Sequence, residues 1–106
     1  MDTVSEQASS IRAAIGSNRA ALHAILARYG ARNPRLFGSV ARGDATPISD
    51  VDILVDLDPE AGNELLRIAG IGEEFSDILG VRVDVVADSL LREPVSASAH
   101  RDAVAM

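Results

Sequence analysis

The stretch of sequence that decides the fold is Ser49-Asp50-Val51-Asp52-Ile53-Leu54-Val55-Asp56-Leu57. Polar and apolar residues alternate along most of it, which is the period of a β-strand with one face toward a core. Asp50 and Asp52 therefore point to the same side of the strand, about 7 Å apart. Two neighbouring carboxylates repel each other, and aspartate is uncommon inside strands, so the pattern indicates a cation site. The alternative is an edge strand on which the charges only keep the sheet soluble.

A second strand is predicted over Val81–Ala87, with alternate residues forming an apolar face. Asp84 then projects from the opposite face of this strand. If the two strands are neighbours, about 4.8 Å apart, Asp84 joins Asp50 and Asp52 as a third carboxylate. A pair of divalent ions about 3.5–4 Å apart would account for such a group, since each carboxylate can bind the ions between them.

Upstream of the acidic strand, Gly38-Ser39 follows a short strand predicted over Arg35–Phe37 and precedes a short helix. Backbone N–H groups at such a turn are unpaired and can bind phosphate oxygens, and glycine allows close approach. Arg42 lies one helical turn later, where its guanidinium can reach the same phosphates. The alternative for Arg42 is a surface ion pair with Asp44 or a neighbouring acid.

The rest of the chain alternates helices with strands. Apolar residues at helical spacing predict helices before the first strand and a helix from Asn63 to Leu79, with Leu65 and Leu66 among its apolar positions. We therefore expect a single α/β domain over residues 1–106, in which helices flank one small sheet. Residues 1–17 are expected to form an N-terminal helical extension.

The composition narrows the possible functions. The chain has 106 residues and no cysteine, and all ten of its basic residues are arginine. Disulfide scaffolds, thiolate metal sites, cysteine nucleophiles and lysine-dependent catalysis are therefore excluded. The net charge of -6 argues against direct binding to nucleic acid, which needs a basic surface. Because no apolar run approaches the ~20 residues that span a bilayer, and no signal peptide is evident, we expect a soluble, cytoplasmic protein without membrane association.

Gly38-Ser39, the ten residues that follow and Asp50-Val51-Asp52 closely resemble the nucleotidyltransferase signature of the DNA polymerase β superfamily. That family carries a third carboxylate on a later strand, and Asp84 within Val83-Asp84-Val85 matches it. The resemblance extends from about Asn18 to the C-terminus, and the short length is similar to that of the minimal nucleotidyltransferases of prokaryotes.

The resemblance implies a small mixed sheet of the polymerase β-like fold and two groups of site residues. These are the metal-binding and catalytic Asp50, Asp52 and Asp84, and the nucleotide-binding Gly38, Ser39 and Arg42. Two Mg²⁺ ions are expected, with Mn²⁺ as a possible substitute, and ATP is the expected substrate. When a hydroxyl attacks the α-phosphate, charge develops on that phosphate and on the departing pyrophosphate, and two divalent ions can neutralise both. Asp84 is the candidate base.

Minimal nucleotidyltransferases are commonly encoded beside a HEPN-domain toxin and serve as its antitoxin. The resemblance therefore implies transfer of AMP from ATP to a hydroxyl of that partner, in particular a tyrosine, within a hetero-oligomer. The competing hypothesis is a catalytically inert antitoxin that neutralises the toxin by binding alone. The three aspartates, together with Gly38-Ser39, favour activity. Transfer to a small molecule such as an aminoglycoside lacks support, because no second domain is evident to hold it.

Overall fold

The computed structural model describes residues 4–90, 101 and 103–106. Its elements, in chain order, are helices α1 (Glu6–Ser17) and α2 (Arg19–Arg28), strand β1 (Ala31–Phe37), helix α3 (Gly38–Arg42), strand β2 (Val51–Leu57), helix α4 (Glu64–Leu79), strand β3 (Val83–Ala87), a 3-10 turn (Asp88–Leu90) and strand β4 (Val104–Ala105). No helix in this part of the chain is long and apolar enough to cross a membrane.

The strands of the described residues form one mixed sheet in the order β3-β2-β1-β4. β1 pairs antiparallel with both β2 and β4, whereas β2 pairs parallel with β3. Parallel neighbours need a crossover connection, and α4 supplies it. The prediction of a small mixed sheet flanked by helices is confirmed. The two acidic strands are neighbours, which was the condition for Asp84 to join Asp50 and Asp52.

The helices pack on one face of the sheet. Val51, Ile53 and Val55 of β2 are fully buried in the hydrophobic core, together with Leu22 of α2 and Phe75 of α4. Successive side chains of a strand point to opposite faces. The strand that builds the core on one face therefore presents its aspartates on the other.

β1 is longer than the strand that the sequence predicts, because it begins at Ala31 rather than Arg35. The strand was predicted to start directly after Pro34, but the pairing of β1 with β2 shifts register between Arg32 and Arg35, and a proline is tolerated at such an irregularity. β4 was not predicted, since two residues carry no periodicity. The sequence from Asp88 onward predicts one or two short helices interrupted at Pro94. Of this stretch the structure describes the 3-10 turn Asp88–Leu90 and strand β4, while Pro94 and its neighbours lie outside the described residues.

The orientation of α4 differs from the prediction at its first turns. Leu65 and Leu66 are 66% and 73% exposed, whereas Arg67 is only 6% exposed. The Arg67 guanidinium donates hydrogen bonds to three backbone carbonyls, those of Tyr29 at 2.7 Å, Gly30 at 2.7 Å and Asp58 at 2.9 Å. Arg67 thereby joins α4 to the end of α2 and to the loop after β2.

Candidate active site

Asp52 lies on the middle one of three neighbouring strands, on the face of the sheet opposite Val51, Ile53 and Val55. Its Cα is in register with Phe37 of β1 on one side and with Asp84 of β3 on the other. The parallel pairing of β2 with β3 therefore places two aspartates on adjacent strands at the same level. Gly38, which follows Phe37 directly, lies next to the Asp52 carboxylate.

Gly38 lies so close to Asp52 that a side chain at this position would force the Asp52 carboxylate to move. A Cβ atom built on Gly38 would stand 2.4 Å from Oδ2 of Asp52, which is less than any real contact allows. The φ angle of Gly38 is also +71°, in the left-handed region that favours glycine. The turn between β1 and α3 thus brings the backbone of Gly38 next to the carboxylate.

The electrostatic environment of Asp52 is unfavourable to its negative charge. Partial burial raises the pKa of the Asp52 carboxyl to about 6, and repulsion from Asp84 and Asp50 adds to the rise. The Arg42 guanidinium acts in the opposite direction. Among the described residues, no group donates a hydrogen bond to the Asp52 side chain. A bound cation would offset the repulsion from Asp84 and Asp50 and stabilise the ionised Asp52 carboxylate.

Asp56, on the same face of β2, has the opposite environment. Its carboxylate accepts hydrogen bonds from Asn33 at 3.0 Å and from Arg35 at 2.8 Å. These contacts, led by the one from Asn33, lower the pKa of Asp56. The strand therefore carries one aspartate that is satisfied by the protein and another, Asp52, that is not.

Asp50 lies just before β2, and its Oδ2 atom stands 3.8 Å from Nε of Arg82. The Arg82 side chain is 79% exposed, so this ion pair is weak. The sequence analysis gives Arg82 no role, because an arginine next to a strand carries no signal of its partner. Its guanidinium lies at the edge of the acidic group.

Ser39 and Arg42 both belong to α3, the short helix that starts at Gly38. The Arg42 side chain lies 3.4 Å from the Asp44 carboxylate, so the alternative ion pair is present, although both side chains are largely exposed. Arg42 nevertheless stays close enough to Asp52 to lower its pKa. Its surface pairing is therefore compatible with a position next to a bound phosphate.

The donor set can be tested against a divalent metal. Among the described residues, no three acidic or histidine side chains converge into a complete metal-binding group. Mg²⁺, however, is usually held by one or two carboxylates together with substrate phosphates and water. Asp52 and Asp84, as hard oxygen donors at the same level of adjacent strands, fit that requirement.

We expect Asp52→Asn to stabilise the metal-free protein at about pH 7.5. Because the folded-state pKa of about 6 exceeds the ordinary value of 3.8, the ionised carboxylate present at pH 7.5 is less favourable in the folded protein than in the unfolded chain. The stability contributed by this group is present below about pH 4 and is lost as the pH rises through about 6. After allowance for solvent screening, the substitution should contribute about 1–2 kcal/mol, or about 4–16 °C in melting temperature.

Thermal denaturation at about pH 7.5 and about pH 4 measures this effect, and Asp56→Asn is the matched control. The pKa of Asp56 is lowered, so its contribution is present at neutral pH and declines in acid; Asn at that position should destabilise the protein at neutral pH. If Asp52→Asn lowered the melting temperature at neutral pH, Asp52 would be a structural residue.

A second prediction concerns the contact between Gly38 and Asp52. Gly38→Ala should destabilise the protein by about 1–2 kcal/mol more than Gly80→Ala. The φ angles of the two glycines, +71° and +69°, carry the same backbone cost, but a Cβ at Gly80 would meet nothing within 4 Å. Chemical denaturation measures the free energy of unfolding of both variants, and the difference between them gives the cost of the contact with Asp52. Equal losses of stability would show that Gly38 is not in close contact with Asp52.

The family of the chain follows from this geometry together with comparison with known proteins. Residues 25–105 match the family model of the nucleotidyltransferase domain, and the chain belongs to that family. The predicted family and enzyme class, a nucleotidyltransferase, are thereby confirmed.

Similar proteins agree with this assignment. The chain is 40% identical over 77 residues to "Protein adenylyltransferase MntA" of Thermococcus cleftensis, covering 73% of this chain and 76% of that protein. It is 32% identical over 78 residues to "Putative protein adenylyltransferase MJ1379" of Methanocaldococcus jannaschii, covering 73% and 78%. A solved structure described as "Structure of putative minimal nucleotidyltransferase" is similar with a TM-score of 0.73 and 37% identity, over 87% of this chain and 92% of that one.

Proposed function

We propose that this chain transfers AMP from ATP, with Mg²⁺, to a tyrosine hydroxyl of a partner HEPN-domain toxin and thereby acts as its antitoxin. The observation that carries the transfer chemistry is the Asp52 carboxylate, which lies against Gly38, in register with Asp84, and without a hydrogen-bond donor among the described residues. The protein substrate is supported by the relatives, which are named protein adenylyltransferases. The toxin and its tyrosine are implied by the resemblance to minimal nucleotidyltransferases.

In this proposal, Gly38, Ser39 and Arg42 bind the triphosphate. The backbone turn at Gly38 and the Ser39 hydroxyl supply hydrogen-bond donors, and the Arg42 guanidinium supplies charge. Arg42 is exposed, as a residue that contacts an incoming nucleotide must be. Their position beside Asp52 would bring the phosphates to the carboxylates.

Asp50, Asp52 and Asp84 would bind two Mg²⁺ ions, which supply charge neutralisation at the transferring phosphate and at the pyrophosphate. The acceptor oxygen forms a bond to the α-phosphorus while the bond from that phosphorus to the bridging oxygen breaks and pyrophosphate leaves. Asp84 accepts the proton of the hydroxyl. Asp84 is exposed on β3, which is an edge strand of the described sheet, so an acceptor protein can reach it.

Metal binding can be measured without a partner. Mg²⁺ at a hundred times its dissociation constant should stabilise the wild type by about 2.7 kcal/mol, in a thermal scan run with a non-hydrolysable ATP analogue. Asp52→Asn should lose most of this shift and Asp56→Asn should keep it. A full shift in Asp52→Asn would remove Asp52 from the metal site.

The acceptor can be identified by co-expressing the chain with the product of the adjacent open reading frame and measuring the intact mass of that partner. The proposal predicts a gain of one or more AMP units, located on a tyrosine by peptide sequencing. A partner of unchanged mass whose toxicity is still relieved would instead support neutralisation by binding alone.

A further inference from the structure

Arg12 of α1 forms hydrogen bonds with the C-terminal carbonyls of α3. Its Nε and Nη2 atoms donate to the Val40 carbonyl at 3.2 and 2.9 Å, and Nη2 also donates to the Ala41 carbonyl at 2.8 Å. Arg12 is 28 residues away from Val40 in the chain, so this contact joins two separate elements. A cation that binds the last carbonyls of a helix also interacts favourably with the negative end of its dipole.

α3 needs such support because it has only five residues. A helix of that length is not stable alone, since nucleation costs more than one turn of hydrogen bonds returns. Among the described residues, Arg12 is the donor for the Ala41 carbonyl, whereas the Ser39 carbonyl accepts from Gly43 at 2.9 Å and Asp44 at 3.0 Å. The C-terminal end of α3 is thus held from outside the helix.

The segment before α1 contacts the same turn. The Ser5 N–H donates to the Gly43 carbonyl at 2.8 Å, and the side chain of Val4 lies 3.5 Å from where a Cβ of Gly43 would stand. Ala8, Ile11 and Ile15 anchor α1 in the core. The N-terminal helix is therefore fixed to the protein on one side and bonded to the α3 turn on the other.

We propose that Arg12 is a positioning residue for nucleotide binding: by holding the C-terminal end of α3, it fixes the Gly38-Ser39 turn against Asp52. This inference rests on the proposed function for its link to ATP. It assigns a role in the site to the N-terminal helix, which lies outside the residues 25–105 that the family model matches.

The test compares Arg12→Met with Arg19→Met. Both arginines line the same groove beside Ala41, and both substitutions remove one positive charge, but Arg19 makes no hydrogen bond to α3. The dissociation constant for ATP with Mg²⁺, measured by calorimetry, should rise about tenfold in Arg12→Met and stay unchanged in Arg19→Met. Arg12→Lys, which keeps the charge but cannot bridge both carbonyls in the same way, should fall between Arg12→Met and the wild type. It also serves as the test variant if Arg12→Met does not fold.

A second readout needs neither ATP nor a partner. Hydrogen exchange at the amides of Gly43 and Asp44, which bond within the α3 turn, should be about tenfold faster in Arg12→Met, while exchange at Leu54 in β2 stays as in the wild type. If exchange accelerated equally everywhere and the ATP dissociation constant did not change, Arg12 would have a merely structural role and the inference would be wrong. Faster exchange at Gly43 and Asp44 with an unchanged ATP dissociation constant would likewise contradict the inference. If ATP binding weakened and exchange accelerated locally but the wild type transferred no AMP, Arg12 would still position the nucleotide site, and only the proposed transfer to a partner would be wrong.

Discussion

Asp52→Asn should reduce the rate of AMP transfer by about 10³-fold, the scale expected when a group that stabilises developing charge is removed. The substitution keeps the size of the side chain and relieves its unfavourable charge, so the protein should fold at least as well as the wild type. Loss of transfer in a more stable protein would separate catalysis from folding. The measurement is the single-turnover rate of label transfer from ATP to the partner.

Asp56→Asn is the control for this prediction. It makes the same chemical change four residues away on the same face of β2, at a carboxylate that Asn33 and Arg35 already satisfy. Transfer by the folded Asp56→Asn protein should stay within about threefold of the wild type, a difference of less than 1 kcal/mol. Equal losses in the two variants would mean that the acidic strand acts through its overall charge.

Arg67→Met should destabilise the protein by about 3–5 kcal/mol, the largest stability change that we expect from a single substitution here. Methionine fills much of the space of the arginine stem but donates no hydrogen bond. The Tyr29 carbonyl then loses its donor, while the Gly30 carbonyl keeps a backbone donor at 2.9 Å, from Asp58. The melting temperature should fall by at least about 12 °C.

Arg32→Met is the matched control for Arg67. The Arg32 guanidinium pairs with the Asp58 side chain at 3.0 Å, but both side chains are more than half exposed. Such pairs contribute at most about 1 kcal/mol. If Arg67→Met and Arg32→Met had the same melting temperature, the three carbonyl contacts of Arg67 would contribute little to stability. The apolar packing of α4 would then have to account for the stability of that region.

The site could be predicted from the sequence where its residues follow a local pattern. Alternation along β2 predicted that Asp52 points away from the core. The sequence also predicted a turn at Gly38-Ser39 between a strand and a short helix, and in the structure this turn lies beside Asp52. The prediction that Asp84 joins Asp50 and Asp52 assumed that β2 pairs with β3. The sequence did not establish that pairing, because the pattern of a strand does not show which strand lies next to it. The roles of the six site residues stay predictions.

Other features could not be predicted because they depend on contacts distant in the sequence. Arg67 falls within an apolar helix pattern, and only the carbonyls of Tyr29, Gly30 and Asp58, brought together by the fold, explain why it is buried in place of Leu65 and Leu66. Arg12 presents the same difficulty. Its partners lie in another helix, and an arginine on an exposed helix face gives no signal of them.

The measurement that tests the central claim most directly compares two labels of ATP. The chain and its partner are incubated with Mg²⁺ and ATP labelled on either the α- or the γ-phosphate, and the protein is then separated and counted. Nucleotidyl transfer predicts that the α-label enters the partner, that the γ-label leaves with pyrophosphate, and that Asp52→Asn abolishes the α-label. A γ-label on the partner would show phosphoryl transfer instead, and a partner that is neutralised without either label would show that this chain acts by binding and not by catalysis.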